Sequence, residues 1–132
     1  MDEKLKHLEF LQNVITRMAS NSFLLKGWTV LLVSALFALL AEASRIQFVY
    51  LAYFPSVAFW ILDGYFLRQE RLFRKLYDRV RTLPNSATDF SMDTTSVASQ
   101  VDSWFRTLFS KTLIIFHGTV ILTISVVLLL AR

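Results

Sequence analysis

The apolar and polar positions of this chain fall into blocks, and the longest uninterrupted block runs from Ile46 to Arg81. Its first part, IQFVYLAYFPSVAFWILDGYFL, contains one charge, Asp63, in 22 residues. As a helix that part spans about 33 Å, enough for the hydrocarbon core of a bilayer. At Arg68 the pattern changes without a stop signal. Leu72, Phe73, Leu76, Tyr77 and Val80 share one helical arc, while Arg68, Arg71, Arg74, Lys75, Arg79 and Arg81 occupy the other side. The pattern therefore predicts a membrane span over 46–67 that emerges as a basic amphipathic helix over 68–81. Pro55, mid-span, is expected to kink it, because proline removes a backbone donor and crowds the preceding turn.

The remaining elements follow from the same reading. Residues 4–18 place Leu8, Leu11, Val14, Ile15 and Met18 on one face and predict a first amphipathic helix. The polar stretch Ser20, Asn21, Ser22 reads as an elbow before an apolar span over 23–41. Lys26 sits near the start of that span, where it can snorkel, and Trp28 suits the interfacial belt. Residues 42–45 are too few for anything but a tight turn, so the first two spans form a helical hairpin. The Pro, Asn, Ser, Thr and Asp content of 82–96 marks a loop. Thr95 or Ser96 then caps an amphipathic helix over 97–110, whose Val97, Val101, Trp104, Phe105, Leu108 and Phe109 are expected to pack on the Leu72 to Val80 face. A last span covers 112–131. The fold class is thus all-α, with three transmembrane helices and juxtamembrane amphipathic helices in a single membrane domain over 1–132.

Composition agrees with this class, since 55% hydrophobic content in 132 residues is too apolar for one small soluble core. The net charge of +4 raises the question of nucleic acid, but the apolar spans assign the excess to the positive-inside bias, and no nucleic acid partner is expected. Eight Lys or Arg lie in the segment 68–111 and four in the N-terminal segment through Lys26, against one in the short turn and one at the C-terminus. The N-terminus and the 68–111 segment are accordingly expected in the cytoplasm of a bacterial inner-membrane protein, and the C-terminus in the periplasm. With no cysteine, disulfide and thiolate chemistry are excluded.

Three groups of residues stand out as candidate sites. Lys26, Asp63 and His117 fall at nearly the same depth on the cytoplasmic side, and ionisable groups within spans face the bundle interior and pair. Ser34, Ala38 and Ala41 on the first span, with Gly118 and Ser125 on the third, form a seam of small and hydroxyl residues suited to close helix approach, and a thin three-span bundle favours a homo-oligomer. The basic face of Arg68, Arg71, Arg74, Lys75, Arg79 and Arg81 suits membrane lipids first, then an anionic ligand or a soluble cytoplasmic signalling or sensor partner. His7 and His117 are isolated, and Gly27, Gly64 and Gly118 form no phosphate-binding loop. No catalytic, metal or cofactor site is expected, and the chain does not read as an enzyme.

Taken together, RMASNSFLLKGW (17–28), FWILD (59–63), ERLFRKLYDRVR (70–81) and WFRTLFSKT (104–112) resemble a family of small uncharacterised bacterial inner-membrane proteins. The resemblance covers most of the chain and implies an inner-membrane protein of unassigned activity, without catalytic or ligand residues to transfer. In architecture such proteins are similar to the membrane effectors of antiphage systems. The expected function is an oligomeric pore or membrane-perturbing effector, controlled through its cytoplasmic helices and acting in antiphage defence. The alternative is a non-conducting anchor or scaffold for a soluble signalling partner.

Overall fold

The computed structural model describes residues 2–43 and 45–131. Ser44, in the expected turn, and Arg132, the expected outer terminal charge, lie outside the described residues. The described residues are predominantly helical, without a strand among them: α1 (Asp2–Ala43), α2 (Gln47–Thr82), two 3-10 turns (Asn85–Ala87 and Thr95–Gln100), α3 (Trp104–Leu108) and α4 (Lys111–Ala131).

α1 is one unbroken helix of 42 residues, about 63 Å long, so the expected elbow at Ser20 to Ser22 does not exist. Asp2 and Glu3 in its first turn complement the helix dipole. Its inward face explains the continuity. His7, Met18, Thr29 and Leu40 recur every eleven residues, as do Leu11, Ser22 and Val33, and Ile15, Lys26 and Phe37; all ten are buried or half-buried. Eleven residues in three turns is about 3.67 per turn, close enough to the natural period that a nearly straight helix keeps one face inward over its whole length. Ser22 belongs to that face.

α2 likewise runs from Gln47 to Thr82 without interruption, through Pro55. Beside the proline, the Ser56 hydroxyl donates to the Ala52 carbonyl at 2.7 Å. Leu83 takes an extended conformation at the C-cap, as a residue preceding proline must when the chain leaves a helix at Pro84. α1 and α2 form a long antiparallel pair, and α4 packs along only the half of it nearest the 44–46 link.

The molecule therefore has two halves. In the apolar half, Val33 of α1, Val49 and Ala52 of α2 and Ile124 of α4 make the buried centre, with Phe37, Leu40, Tyr53, Val120 and Leu128 packed around it. In the charged half, Leu11 of α1, Leu72, Leu76 and Val80 of α2 and Val97 of the second 3-10 turn make a separate core. Val97 and Val101 thus pack where the sequence pattern placed them. The continuous helix expected over 97–110 is nevertheless broken: Val101, Asp102 and Ser103 leave helical geometry, and Ser103, not Thr95 or Ser96, caps α3 by accepting from the Arg106 amide at 3.3 Å. Trp104, Phe105 and Phe109 consequently turn outward and are exposed.

Among the described residues two helices, not three, are by length and apolarity fit to cross a membrane: α1 and α4. The first half of α2, expected as a span over 46–67, falls short because Tyr50, Tyr53, Pro55, Ser56, Trp60, Asp63, Gly64 and Tyr65 dilute its apolar run. Only 11% and 17% of the most apolar windows of α1 and α4 are buried. A helix that apolar and that exposed does not belong in the core of a water-soluble protein.

Candidate functional site

Where the two halves meet, three polar side chains from α1 and α4 converge on one carboxylate of α2. Asp63 of α2 is fully buried. Its Oδ1 accepts a hydrogen bond from the Ser22 hydroxyl of α1. Its Oδ2 accepts from Lys26 Nζ at 2.6 Å and from His117 Nε2 of α4 at 2.7 Å. Lys26 Nζ also donates to Ser22 Oγ at 2.8 Å, closing the ring. Ser22 and Lys26 reach the same acceptor because they stand one turn apart on α1. Asp63 and Lys26 cancel each other's charge, so a group that would be prohibitive if left alone at this depth is satisfied on both oxygens.

Aromatic groups close the cluster. The Trp60 indole stacks on the His117 ring, centroids 5.8 Å apart and planes 6° from parallel. The same indole donates to the Leu108 carbonyl at 2.8 Å, pinning the end of α3, and Trp104 of α3 donates back to the Ile61 carbonyl at 3.1 Å. Lys26 also lies 5.9 Å from the centre of the Phe116 ring. Gly64, next to Asp63, makes room for α3: a Cβ there would collide with the Leu108 side chain and stand 3.3 Å from Trp104 Nε1. Of the polar atoms in the cluster, His117 Nδ1 is buried with no hydrogen-bond partner among the described residues.

Lys26, Asp63 and His117 are therefore brought together as their depth in the sequence suggested. Ser22 and Gly64 were not anticipated; Ser22 reads as part of an elbow unless its eleven-residue spacing from Leu11 and Val33 is noticed. The proposed seam fares differently. Ser34, Ala38 and Ala41 are exposed along α1. A Cβ on Gly118 would meet within 4 Å only Ile114 of its own helix. Within this chain only Ser125 joins helices: its hydroxyl donates to the Ile121 carbonyl at 2.9 Å, and it accepts from Tyr53 of α2 at 2.7 Å.

The basic face is divided by local acids. Arg74 pairs with Glu70 at 2.8 Å and Arg81 approaches Asp78 at 3.8 Å, both within α2. Arg68 donates from Nε to the Asp102 carbonyl at 3.1 Å, tying the segment before α3 to α2. Arg79 borders a small cavity with His7, whose Nε2 donates to the Ser91 carbonyl at 2.9 Å. Arg71, Arg74 and Lys75 line an open cleft of about 370 Å³ with Asp78, Gln100, Val101 and Asp102. No set of three metal-ligating side chains gathers among the described residues.

Fold and site define an all-helical protein with two helices fit to cross a membrane and a buried ionic cluster joining three helices. Compared with protein-family models, with curated proteins and with solved structures, the chain matches none.

Proposed function

We propose that the chain is a homo-oligomeric bacterial inner-membrane effector that perturbs or permeabilises the bilayer when its cytoplasmic helices are engaged. In this reading α1 and α4 traverse the membrane and carry the first half of α2 across between them. Leu51, Phe54, Ile61 and Leu62 of α2 are exposed at the same level as the exposed apolar residues of its neighbours, which supports that placement. The basic-residue asymmetry puts the N-terminus and the 68–111 segment in the cytoplasm and the C-terminus in the periplasm.

One observation carries the proposal. The Ser22, Lys26, Asp63 and His117 cluster is the only polar tie common to α1, α2 and α4 among the described residues, and it sits where α1 and α2 pass rigidly from the charged half into the apolar half. A displacement of the cytoplasmic half acts directly on that latch. Opening it exposes an ionic group to the lipid layer, and a second copy or an aqueous path is then required to satisfy it.

A second reading, a non-conducting anchor for a soluble partner, is favoured by a different observation. Beyond the cluster the centre of the bundle is filled by Val33, Val49, Ala52 and Ile124, so a path for ions must lie between copies rather than through one. The test is reconstitution into liposomes loaded with a self-quenching dye, comparing the wild type, Asp63→Asn and the triple change of Arg71, Arg74 and Lys75 to Ala. The effector reading expects leakage from Asp63→Asn above wild type. Absence of leakage in every variant, with the protein inserted and folded, replaces it by the anchor. A C-terminal alkaline phosphatase fusion that is active in cells supports the orientation, and an inactive one overturns it.

A further inference from the structure

Arg74 stands at the meeting point of two concavities of opposite character. On one side is the cleft of about 370 Å³ bordered by Arg71, Lys75, Asp78 and Asp102. On the other, Arg74 closes a groove of about 490 Å³ along α1, bordered by the apolar Ile15, Ala19, Phe23 and Leu24 with Gln12, Thr16 and Ser20 among them. Arg71, Arg74 and Lys75 lie one to two turns beyond Arg68, about 5 to 10 Å along the helix, where a lipid headgroup layer would be. Phe23 and Leu24, at the end of the groove nearer the apolar half in sequence, are 76% and 56% exposed.

We propose that these two concavities form one binding site for a phospholipid, with its phosphate on Arg71, Arg74 and Lys75, its hydrogen-bond-donating headgroup toward Asp78 and Asp102, and an acyl chain along Phe23 and Leu24. Arg71 and Lys75 carry no ion-pair partner among the described residues, so two cations are free for a phosphate, and the guanidinium of Arg71 offers it paired donors. Asp78, one turn from Arg74 along α2, and Asp102, which share the lining of the cleft, set the specificity. They repel a polyanionic headgroup and accept from an ammonium or a hydroxyl, which selects ethanolamine and glycerol headgroups and leaves the trimethylated choline group without a bond to donate. A soluble nucleotide would satisfy the cations but leave the apolar groove empty. The proposal rests on the membrane placement above.

The experiment uses the full chain in a non-ionic detergent, stripped of lipid, with binding followed by native mass spectrometry. The probes are dioctanoyl phosphatidylethanolamine, phosphatidylglycerol and phosphatidylcholine, together with glycerophosphoethanolamine and inorganic phosphate. Phosphatidylethanolamine and phosphatidylglycerol should bind at least about tenfold more tightly than phosphatidylcholine, since charged hydrogen bonds are at stake. The joint change Arg71→Ala with Lys75→Ala should weaken both by at least about tenfold, and the joint change Asp78→Asn with Asp102→Asn should bring phosphatidylcholine close to the others. Circular dichroism verifies folding, and Arg71→Lys serves if the double change does not fold. Equal binding of the chainless headgroup or of phosphate assigns the cleft to a soluble anion and overturns the proposal. So does equal binding of all three lipids to the wild type. A protein that never leaks yet selects these lipids refutes the effector reading alone, and one that leaks without selecting them refutes this site alone.

Discussion

The two halves of this molecule use the same pair of helices and opposite packing rules. In the charged half, Leu11, Leu72, Leu76, Val80 and Val97 are inside and the arginines of α2 are largely outside, as water requires. At the other end of the same helices, where α4 joins them, the outward surface is Leu31, Leu51, Phe54, Ile115 and Leu130, and a carboxylate, an ammonium and an imidazole are gathered inward. Lipid tails are as apolar as leucine, so burial of apolar surface supplies little drive for helices to associate there, and packing with interhelical hydrogen bonds must supply it. The difference teaches where each half is fragile: the charged half through loss of apolar volume, the apolar half through loss of one carboxylate.

The sharpest way to break the comparison is at Asp63. Asp63→Ala removes the acceptor shared by Ser22, Lys26 and His117 and strands the Lys26 ammonium. We expect a loss of about 3 to 5 kcal/mol, the range for breaking a buried ion pair by removing one partner. The double change Lys26→Ala with Asp63→Ala should cost less than Asp63→Ala alone, because no charge is then left uncompensated. A double-mutant cycle by unfolding in mixed detergent micelles measures this, and additive losses would show that the two charges do not couple.

For the charged half the matching change is Leu72→Ala, at a position 2% exposed. A cavity there should cost about 2 to 5 kcal/mol. Leu129→Ala, on α4 at 68% exposure, should be close to neutral in detergent although the same atoms are removed. If Leu129→Ala costs as much as Leu72→Ala, the apolar half has a packed partner on that face and the contrast between the halves is wrong.

Gly64→Ala tests the junction itself. The added methyl meets Leu108 and Trp104 of α3, and overpacking of this kind costs about 1 to 3 kcal/mol. Because Leu108 also receives the Trp60 hydrogen bond, the change should loosen α3 before it loosens α1 or α2. Faster amide exchange at Phe109 and Ser110, with Leu72 and Leu76 unchanged, is the expected result.

Much of this was legible in the sequence, and the reason differs by element. α2 is readable because nothing between Ile46 and Arg81 stops a helix except Pro55, which the structure absorbs. The Lys26, Asp63 and His117 layer is readable because counting residues from each helix end gives equal depths, and charges at depth must find one another. Ser22 was misread for a physical reason: three polar residues in a row signal an elbow only where they face water, and Ser22 faces Asp63 instead. The third amphipathic helix failed because hydrophobic spacing alone ignores Ser103, which caps a new helix and breaks the register before Trp104. The first half of α2, read as a span, falls short in apolarity because its hydroxyls and aromatics serve contacts such as Tyr53 to Ser125 that composition does not reveal. Gly64 carried no local signal, because its need for space comes from Leu108, far along the chain.

The smallest effect is expected in the loop that anchors the second 3-10 turn. Asp93 Oδ1 accepts from the Thr95 amide at 3.0 Å, at the start of the turn that delivers Val97 to the core of the charged half. Hydrogen bonds to the backbone and side chain of Thr95 hold the Asp93 carboxyl below its ordinary value of 3.8. A carboxyl with a lowered folded-state pKa contributes stability that is fully present above the unfolded-state value and is lost as pH falls through the folded-state value. The contribution is therefore intact at neutral pH and disappears below about 3.8. Asp93 is fully exposed, so solvent screens the effect and it should remain local. Following the Thr95 amide by NMR from pH 6 to pH 2 should show a shift with a midpoint below the ordinary aspartate value, absent in Asp93→Asn. A midpoint at the ordinary value would mean that the loop is not held by this bond, and the docking of Val97 would then fall to the remaining ties, among them the hydrogen bond from His7 to the Ser91 carbonyl.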